Sequence, residues 1–314
     1  MTAPIIELKN VSKQYDGQFA VNNLSLSIPK GEVFGLLGPN GAGKTTTILM
    51  MLGLSEPTSG SILVSGMDST RNPIEVKRMV GYLPDNLGFY PNMTGFENLM
   101  YTAELNHIPR NIAKERSDYL LEKVNLTESA KKKTGKYSRG MKQRLGLADV
   151  LMKKPEVVIL DEPTLGIDPE GVRELLKMIR ELSEEEGITV LLSSHHLHQV
   201  QQICDRVGIF VNGKLLAEGD IMSLAQQLFE ENTFVIHVEA SPLHQSLLET
   251  IQAIEGITKM EEVENGLDIY CKKDLSSTIS RIIIESGASL YHISNKNFGL
   301  DEIYHRYFEG RDHT

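Results

Sequence analysis

Apolar and polar positions follow three different rhythms along this chain. Before about residue 225, short uniformly apolar runs recur: Val33–Leu37, Val157–Leu160, Thr189–Ser193 and Val207–Val211. Strands buried on both faces have this appearance. Polar stretches with helical spacing lie between them, for instance Val172–Glu185. Strands alternating with helices predict an α/β fold built on a mainly parallel sheet. From about 86 to 150 the rhythm changes to Lys- and Glu-rich helical patterns such as Ile112–Val124, with no strong strand. This predicts a helical subdomain inserted between strands.

The tail has a third rhythm. Thr233–Glu239 is strand-like and Pro242–Ile254 helical; Ile257–Val263 and Leu267–Lys272 are strand-like around Asn265-Gly266. Leu275–Glu285 is again helical, Ser289–Ser294 strand-like, and Leu300–Phe308 predicts a final helix. The order βαββαβ is that of an α+β ferredoxin-like domain. Charge changes at the same place: from Gln226 onward there are 7 basic and 15 acidic residues, against 25 and 27 before it. With 314 residues, about twice a common domain, the chain divides in expectation into residues 1–228 and a C-terminal accessory domain, 229–314.

The overall charge of −10 argues against nucleic acid as a partner, which calls for a basic face. The run Lys131-Lys132-Lys133 with Lys136 has no interleaved aromatics and reads as a solvated helix end. Two cysteines, Cys204 and Cys271, form no CxxC pair, so neither a disulfide framework nor a zinc knuckle is expected and a reducing compartment is. The opening MTAPIIELKNVSKQYDG mixes charged and turn residues where a leader would need an apolar run. Apolar runs such as Ile48 to Leu52 fall far short of the roughly 20 residues that span a bilayer. Any membrane role would therefore pass through a partner. The stripe Ile48, Met51, Leu52 reads as core packing.

The chemistry begins at Gly38-Pro39-Asn40-Gly41-Ala42-Gly43-Lys44-Thr45, which fits G-x-x-x-x-G-K-[ST] in full. It follows the strand Val33–Leu37 and precedes a helix predicted over Thr46–Leu52, the context a phosphate loop needs. Glycines without Cβ let backbone N–H groups converge on phosphates, and a helix N-terminus adds partial positive charge. Lys44 supplies a point charge to the β and γ phosphates, and Thr45 a hydroxyl to Mg²⁺. The strand Val157–Leu160 then ends in Asp161-Glu162. Asp161 is the expected partner of Mg²⁺ or its waters, and Glu162 of the water that attacks the γ phosphate. His195, His196 and His198 form an HHxH cluster, but near-adjacent residues seldom converge on one metal. His196 and His198 are expected on the helix that follows.

The run Tyr137-Ser138-Arg139-Gly140-Met141-Lys142-Gln143-Arg144 resembles the signature motif of ABC ATPases. Other pieces match in order over about residues 4–225. Tyr15 resembles the aromatic that stacks on adenine, and Gly81-Tyr82-Leu83-Pro84-Asp85 resembles the Q-loop. Leu165-Gly166-Ile167-Asp168 resembles the D-loop, and Ser194-His195 the switch-histidine loop. The resemblance implies a P-loop NTPase fold with an ABC-type helical subdomain and an ATPase using ATP and Mg²⁺. It implies a nucleotide site of Tyr15, Gly38 to Thr46, Ser138, Gly140 and Asp168, with Thr45, Asp85 and Asp161 at the metal. Lys44, Glu162 and His195 would do the catalysis. It also implies a homodimer, or a pair with a closely related ABC subunit, that closes on ATP, with Ser138 of one chain meeting the γ phosphate held by the other.

The stretch Phe89–Thr94 and Glu97–Leu99 follows the Q-loop, where ABC ATPases receive a helix of a separate transmembrane permease, which would hold the chain peripherally at the cytoplasmic face of the membrane. Packing inside the helical subdomain is the other reading of its exposed aromatic and Met residues. Three positions depart from the usual pattern: Arg139 replaces the first signature glycine, Met141 stands where glutamine is common, and Asp85 replaces the Q-loop glutamine. Both the signature and the acidic Q-loop resemble exporter-type members with YSxGM signatures. The alternative is a soluble ABC ATPase acting on DNA or ribosomes. Those families add tandem cassettes, a long coiled coil or zinc modules, none of which this sequence displays. A catalytically dead regulatory module is a third reading, but Lys44, Asp161, Glu162 and His195 are all present.

Overall fold

The computed structural model describes residues 3–221, 223–224, 234–263 and 266–296. The predicted helix Leu300–Phe308, the residue Asn265 of the turn, and most of the stretch around 222–233 lie outside them. Two compact units emerge, Met1–Gly219 and Asp220–Thr314, and each is described by itself.

The first unit contains β1 (Ile6–Tyr15), β2 (Gln18–Ile28), β3 (Val33–Leu37), β4 (Ser59–Val64), β5 (Met67–Asp68), β6 (Val80–Leu83), β7 (Val157–Asp161), β8 (Thr189–Ser194), β9 (Arg206–Val211) and β10 (Lys214–Gly219). Six of these form a sheet in the order β10-β9-β3-β8-β7-β6. All its pairings are parallel except the edge strand β10, which runs antiparallel to β9. Every residue of β3, β7 and β8 is buried, which is why these strands read as unbroken apolar runs. Leu37 pairs with Ser194 and Asp161 with Ser193, so the three strands end at one edge of the sheet.

Helix α1 (Lys44–Met51) packs Ile48, Met50 and Met51 into the core beside Phe34, Leu36 and Phe210, all fully buried. Full burial of each such side chain contributes about 1.5–3 kcal/mol. After α2 (Pro73–Met79) and β6 comes the helical insert: α3 (Gly95–Leu105), α4 (Arg110–Lys123) and α5 (Arg139–Leu151), with no strand between them. Thr94 and Glu97 form a reciprocal capping box at the start of α3. Ser138 caps α5 by accepting from the Met141 N–H at 3.2 Å. Helix α6 (Pro169–Glu186) starts at Asp168 and Pro169 and ends at Gly187 with φ 64°, the expected start and stop chemistry. Helix α7 (Leu197–Ile203) follows β8.

One part of this unit was not anticipated by the apolar runs. Strands β2, β1, β4 and β5 form a separate antiparallel sheet. One of its faces is covered, so its strands alternate: Leu24, Leu26 and Ile28 of β2 are buried and the residues between them exposed. Its hairpin turns at Asp16 (φ 47°) and Gly17 (φ 83°), the positive dihedrals of a type I′ turn. Asp-Gly between alternating segments is a strong hairpin signal.

The second unit has β11 (Phe234–Ser241), α8 (Gln245–Gln252), β12 (Ile257–Val263), β13 (Gly266–Cys271), α9 (Ser276–Glu285) and β14 (Ser289–Lys296). Its sheet order is β12-β13-β11-β14, antiparallel throughout, the arrangement of a ferredoxin-like domain. Leu247 and Ile251 of α8 and Ile279 and Ile283 of α9 pack with Ile236, Val238, Leu267 and Ile269 of the sheet. Glu261, Asp268, His237 and Ser294 lie in register across the four strands. His237 Nδ1 is 2.7 Å from Asp268 Oδ1.

Candidate nucleotide site

The phosphate loop is forced into shape by glycine. Gly43 has φ 104°, and a Cβ there would stand 2.2 Å from the Ala20 carbonyl oxygen. A Cβ on Gly38 would stand 2.2 Å from the Phe210 carbonyl oxygen. No larger residue fits either position without moving backbone. The turn ends with the Thr47 N–H donating to the Gly43 carbonyl at 2.9 Å, which starts α1 directly at the loop. Lys44 is the first residue of that helix.

Lys44 is buried. Its Nζ donates to the carbonyls of Gly38 at 2.7 Å and Pro39 at 3.2 Å, and lies 3.6 Å from Glu162 Oε1. Burial pulls its pKa down, while the carboxylates of Glu162 and Asp161 push it up; the net shift is downward, so a phosphate beside it would favour its charged form. Thr45 Oγ1 donates to Asp161 Oδ2 at 3.0 Å, and Asp161 Oδ1 accepts from Ser193 Oγ. A hydroxyl and a carboxylate thus meet where the loop enters the helix. Such an all-oxygen pair suits Mg²⁺, a hard cation usually held by one or two protein groups, phosphates and waters.

Glu162 follows at the strand end with φ 49°, a left-handed conformation uncommon outside glycine and asparagine and frequent at functional sites. Its two oxygens differ. Oε2 is 2.9 Å from His195 Nδ1, whereas Oε1 is buried and has no hydrogen-bond partner among the described atoms. His195 holds one oxygen by a hydrogen bond; the other is ion-paired with Lys44 at 3.6 Å and keeps an unused hydrogen-bond acceptor. Burial lowers the pKa of the neighbouring His196, with His195 adding to the effect. His196 caps α7 and stacks against His195 with ring centroids 4.0 Å apart; His198 lies within α7.

Asn40 to Thr46, Asp85, Asp161, Glu162 and His195 line one cavity of about 490 Å³. Gly38 and Pro39 do not line it but hold Lys44 by their carbonyls. Tyr15 does not line it: the ring sits at the hairpin, half exposed, with Lys13 Nζ 5.0 Å from its centroid. Ser138, Gly140 and Asp168 lie outside it too. Asp168 accepts from the Gly171 N–H at 3.2 Å. The signature and the D-loop of the same chain are close neighbours, because Arg139 lies over Gly166 and Ile167 lies beside Gly140.

Two contributors escaped the sequence reading. Ser193, fully buried, orients Asp161, and the two serines that close the buried strand TVLLSS were the signal for it. Asp149, deep in α5, has a buried oxygen without a hydrogen bond and a pKa pushed up to about 6 by burial. It lines a second cavity of about 280 Å³ with Tyr82, Leu87, Tyr90 and Tyr101.

Residues 21–165 match the family described as ABC transporter. The bacitracin transport ATP-binding protein BcrA of Bacillus licheniformis is 36% identical over 301 residues, covering 96% of each chain. The linearmycin resistance ATP-binding protein LnrL of Bacillus subtilis is 37% identical over 300 residues, covering 95% of this chain and 94% of that protein. This chain belongs to the ABC transporter ATP-binding proteins. The similarity to BcrA spans nearly the whole of both sequences, so it takes in the C-terminal unit of this ABC ATPase as well. Among solved structures, a dimeric bacterial ABC transporter cassette aligns with TM-score 0.62 and 25% identity, covering 68% of this chain and 98% of that one. This ABC ATPase is an ATP-binding and ATP-hydrolysing subunit of a transporter. Among the described residues no helix is long and apolar enough to cross a membrane.

Proposed function

We propose that this chain powers an exporter as a dimer, with each ATP held between the phosphate loop of one protomer and Ser138 of the other. In this reading residues 1–228 form the ATPase domain and 229–314 an accessory domain. One observation carries the proposal: Lys44, Asp161, Glu162 and His195 line one cavity while Ser138, capping α5, lies outside it. A site whose chemistry is in place but whose signature serine is elsewhere is completed by a second copy. The dimeric cassette among the structural relatives supports a dimer, and the bacitracin and linearmycin names of the relatives favour export.

The residues then take these roles. The N–H groups of residues 40 to 46 and Lys44 receive the β and γ phosphates, and Tyr15 takes adenine. Thr45 and Asp161, with Asp85 nearby, hold Mg²⁺, which neutralises phosphate charge. Glu162 accepts the proton of the attacking water at Oε1, kept in orientation by His195 at Oε2. Gly140 and the α5 N-terminus join Ser138 at the opposing γ phosphate, and Asp168 stands at the protomer boundary. The cavity of Tyr82, Tyr90, Tyr101 and Asp149 receives a segment of a separate membrane subunit, holding the ATPase at the cytoplasmic face. Apolar walls around few polar groups suit a helix inserted there.

A mixed dimer tests the reading. On a Glu162→Gln background, a Lys44→Ala protomer paired with a Ser138→Arg protomer should occlude one ATP, because the first lends its signature to the second's phosphate loop. The parent dimer should occlude two. No occluded ATP in the mixed dimer, or ATP-driven closure of a Ser138→Arg homodimer, would overturn it.

A further inference from the structure

Away from the nucleotide site, a cleft of about 510 Å³ lies in the ATPase unit between the end of α2, the loop after α3, α4 and the end of α5. Four cations line it: Arg78, Arg116, Lys153 and Lys154. No carboxylate does, in a chain whose net charge is −10. Two of the cations are fixed. Arg116 donates from Nε to the Met152 carbonyl at 2.7 Å and from Nη2 to the Leu151 carbonyl, and Lys153 Nζ donates to the Lys77 carbonyl. These carbonyls belong to helix ends, where a cation is favoured. A guanidinium has five N–H donors and an ammonium three, so both groups retain donors that helix capping does not use. Arg78 and Lys154 are exposed and have no ion-pair partner among the described residues.

The electrostatic surroundings leave these charges under-compensated. Burial lowers the pKa of both Arg116 and Lys153; the opposing influences are Glu186 and Tyr119 for the first and Asp149 for the second. None of those three groups lines the cleft. Desolvated cations with spare donors are stabilised by an anion. Beside them Leu105 and Ile112 leave large apolar side chains in water, 62% and 47% exposed. A ligand that satisfies all of this carries a phosphate and an apolar chain.

We infer that this cleft binds the phosphate head group of an anionic phospholipid, with Leu105 and Ile112 resting against the acyl boundary of the same leaflet. The inference rests on the membrane-facing reading above, because Leu105 also lines the cavity assigned to the membrane subunit. A basic cluster of this size draws a protein to an anionic surface, and each cation there strengthens binding about fivefold. The rest of the chain opposes it, since its net negative charge is repelled by such a surface.

Co-sedimentation of the full chain with vesicles, in the absence of any membrane subunit, tests this. The chain should sediment with vesicles of phosphatidylcholine mixed with phosphatidylglycerol and stay in solution with phosphatidylcholine alone. The pair Arg78→Gln/Lys154→Gln should weaken the binding at least about tenfold. Lys131→Gln/Lys132→Gln, an equal loss of charge elsewhere, should leave it unchanged. Ile112→Ser should also weaken it. Inorganic phosphate at millimolar concentration should not release the chain; release would make a free phosphate the ligand and overturn the lipid assignment. Equal partition into both vesicle types, no partition into either, or an equal loss in the Lys131/Lys132 pair would also overturn it. Failure here leaves the mixed-dimer result standing, and failure of the mixed dimer leaves the vesicle result standing.

Discussion

In the ATPase unit, β3, β7 and β8 are buried from end to end, and the site's charged groups cluster at their C-terminal ends or just beyond. In the C-terminal unit, His237 and Asp268 stand within strands. The difference follows from how each sheet is covered. A parallel sheet with both faces packed has no room for charge within its strands, so polar groups collect where the strands stop and loops and a helix N-terminus converge. An antiparallel sheet whose helices pack on one face can carry polar residues on the other along its whole length. Strand ends bring several loops to a point; a polar sheet face spreads its groups in a row. The first geometry encloses a phosphate chain. The second orders side chains in pairs, such as His237 with Asp268.

The comparison breaks most sharply at Glu162. Glu162→Gln keeps the side chain's shape but cannot take a proton, so hydrolysis should fall about 10²–10⁴-fold while ATP binding persists, read by phosphate release and nucleotide titration. An unchanged turnover would remove Glu162 from the chemistry. The counterpart in the other unit is Ile236, fully buried in the strand between β13 and β14. Ile236→Ala should cost that unit about 2–5 kcal/mol, seen by calorimetry, with the ATPase rate unchanged.

A third change sharpens the role of burial. The folded state holds the Asp149 pKa near 6, above the usual 3.8. Its ionised form therefore costs stability above about pH 6, and the cost fades as pH falls toward 4. Asp149→Asn should stabilise the ATPase unit by about 1–3 kcal/mol at pH 7.5 and by little at pH 4.5, measured as the shift of its melting transition. The smallest effect concerns the units together. Deleting residues 232–314 should leave nucleotide affinity within about twofold, as expected for groups that share no partners, because every residue proposed to contact nucleotide lies before residue 225.

Motif, spacing and apolar runs made much of the first unit legible. Lys44, Thr45, Asp161 and Glu162 were readable because a phosphate loop and a strand-terminal acid pair use few residue types at set spacings. The β1–β2 hairpin was harder. Its alternation is broken by register shifts around residues 8–14, which blur a period of two, and only Asp16-Gly17 marked the turn. The basic cleft was not legible at all, since Arg78, Arg116 and Lys153 come from α2, α4 and the turn after α5, which no local pattern connects.

The sequence by itself determined the family, the phosphate loop, the acid pair, the buried strands of the parallel sheet and the βαββαβ order of the C-terminal unit, because each rests on local spacing and on the periodicity of burial. The tertiary structure alone decided that the two oxygens of Glu162 are divided between His195 and Lys44, that Ser193 orients Asp161, and that Ser138 stands apart from the cavity it is proposed to complete. Those facts depend on distances between segments that are remote in the chain. Such distances are set by how strands register and helices pack, and no single segment carries them.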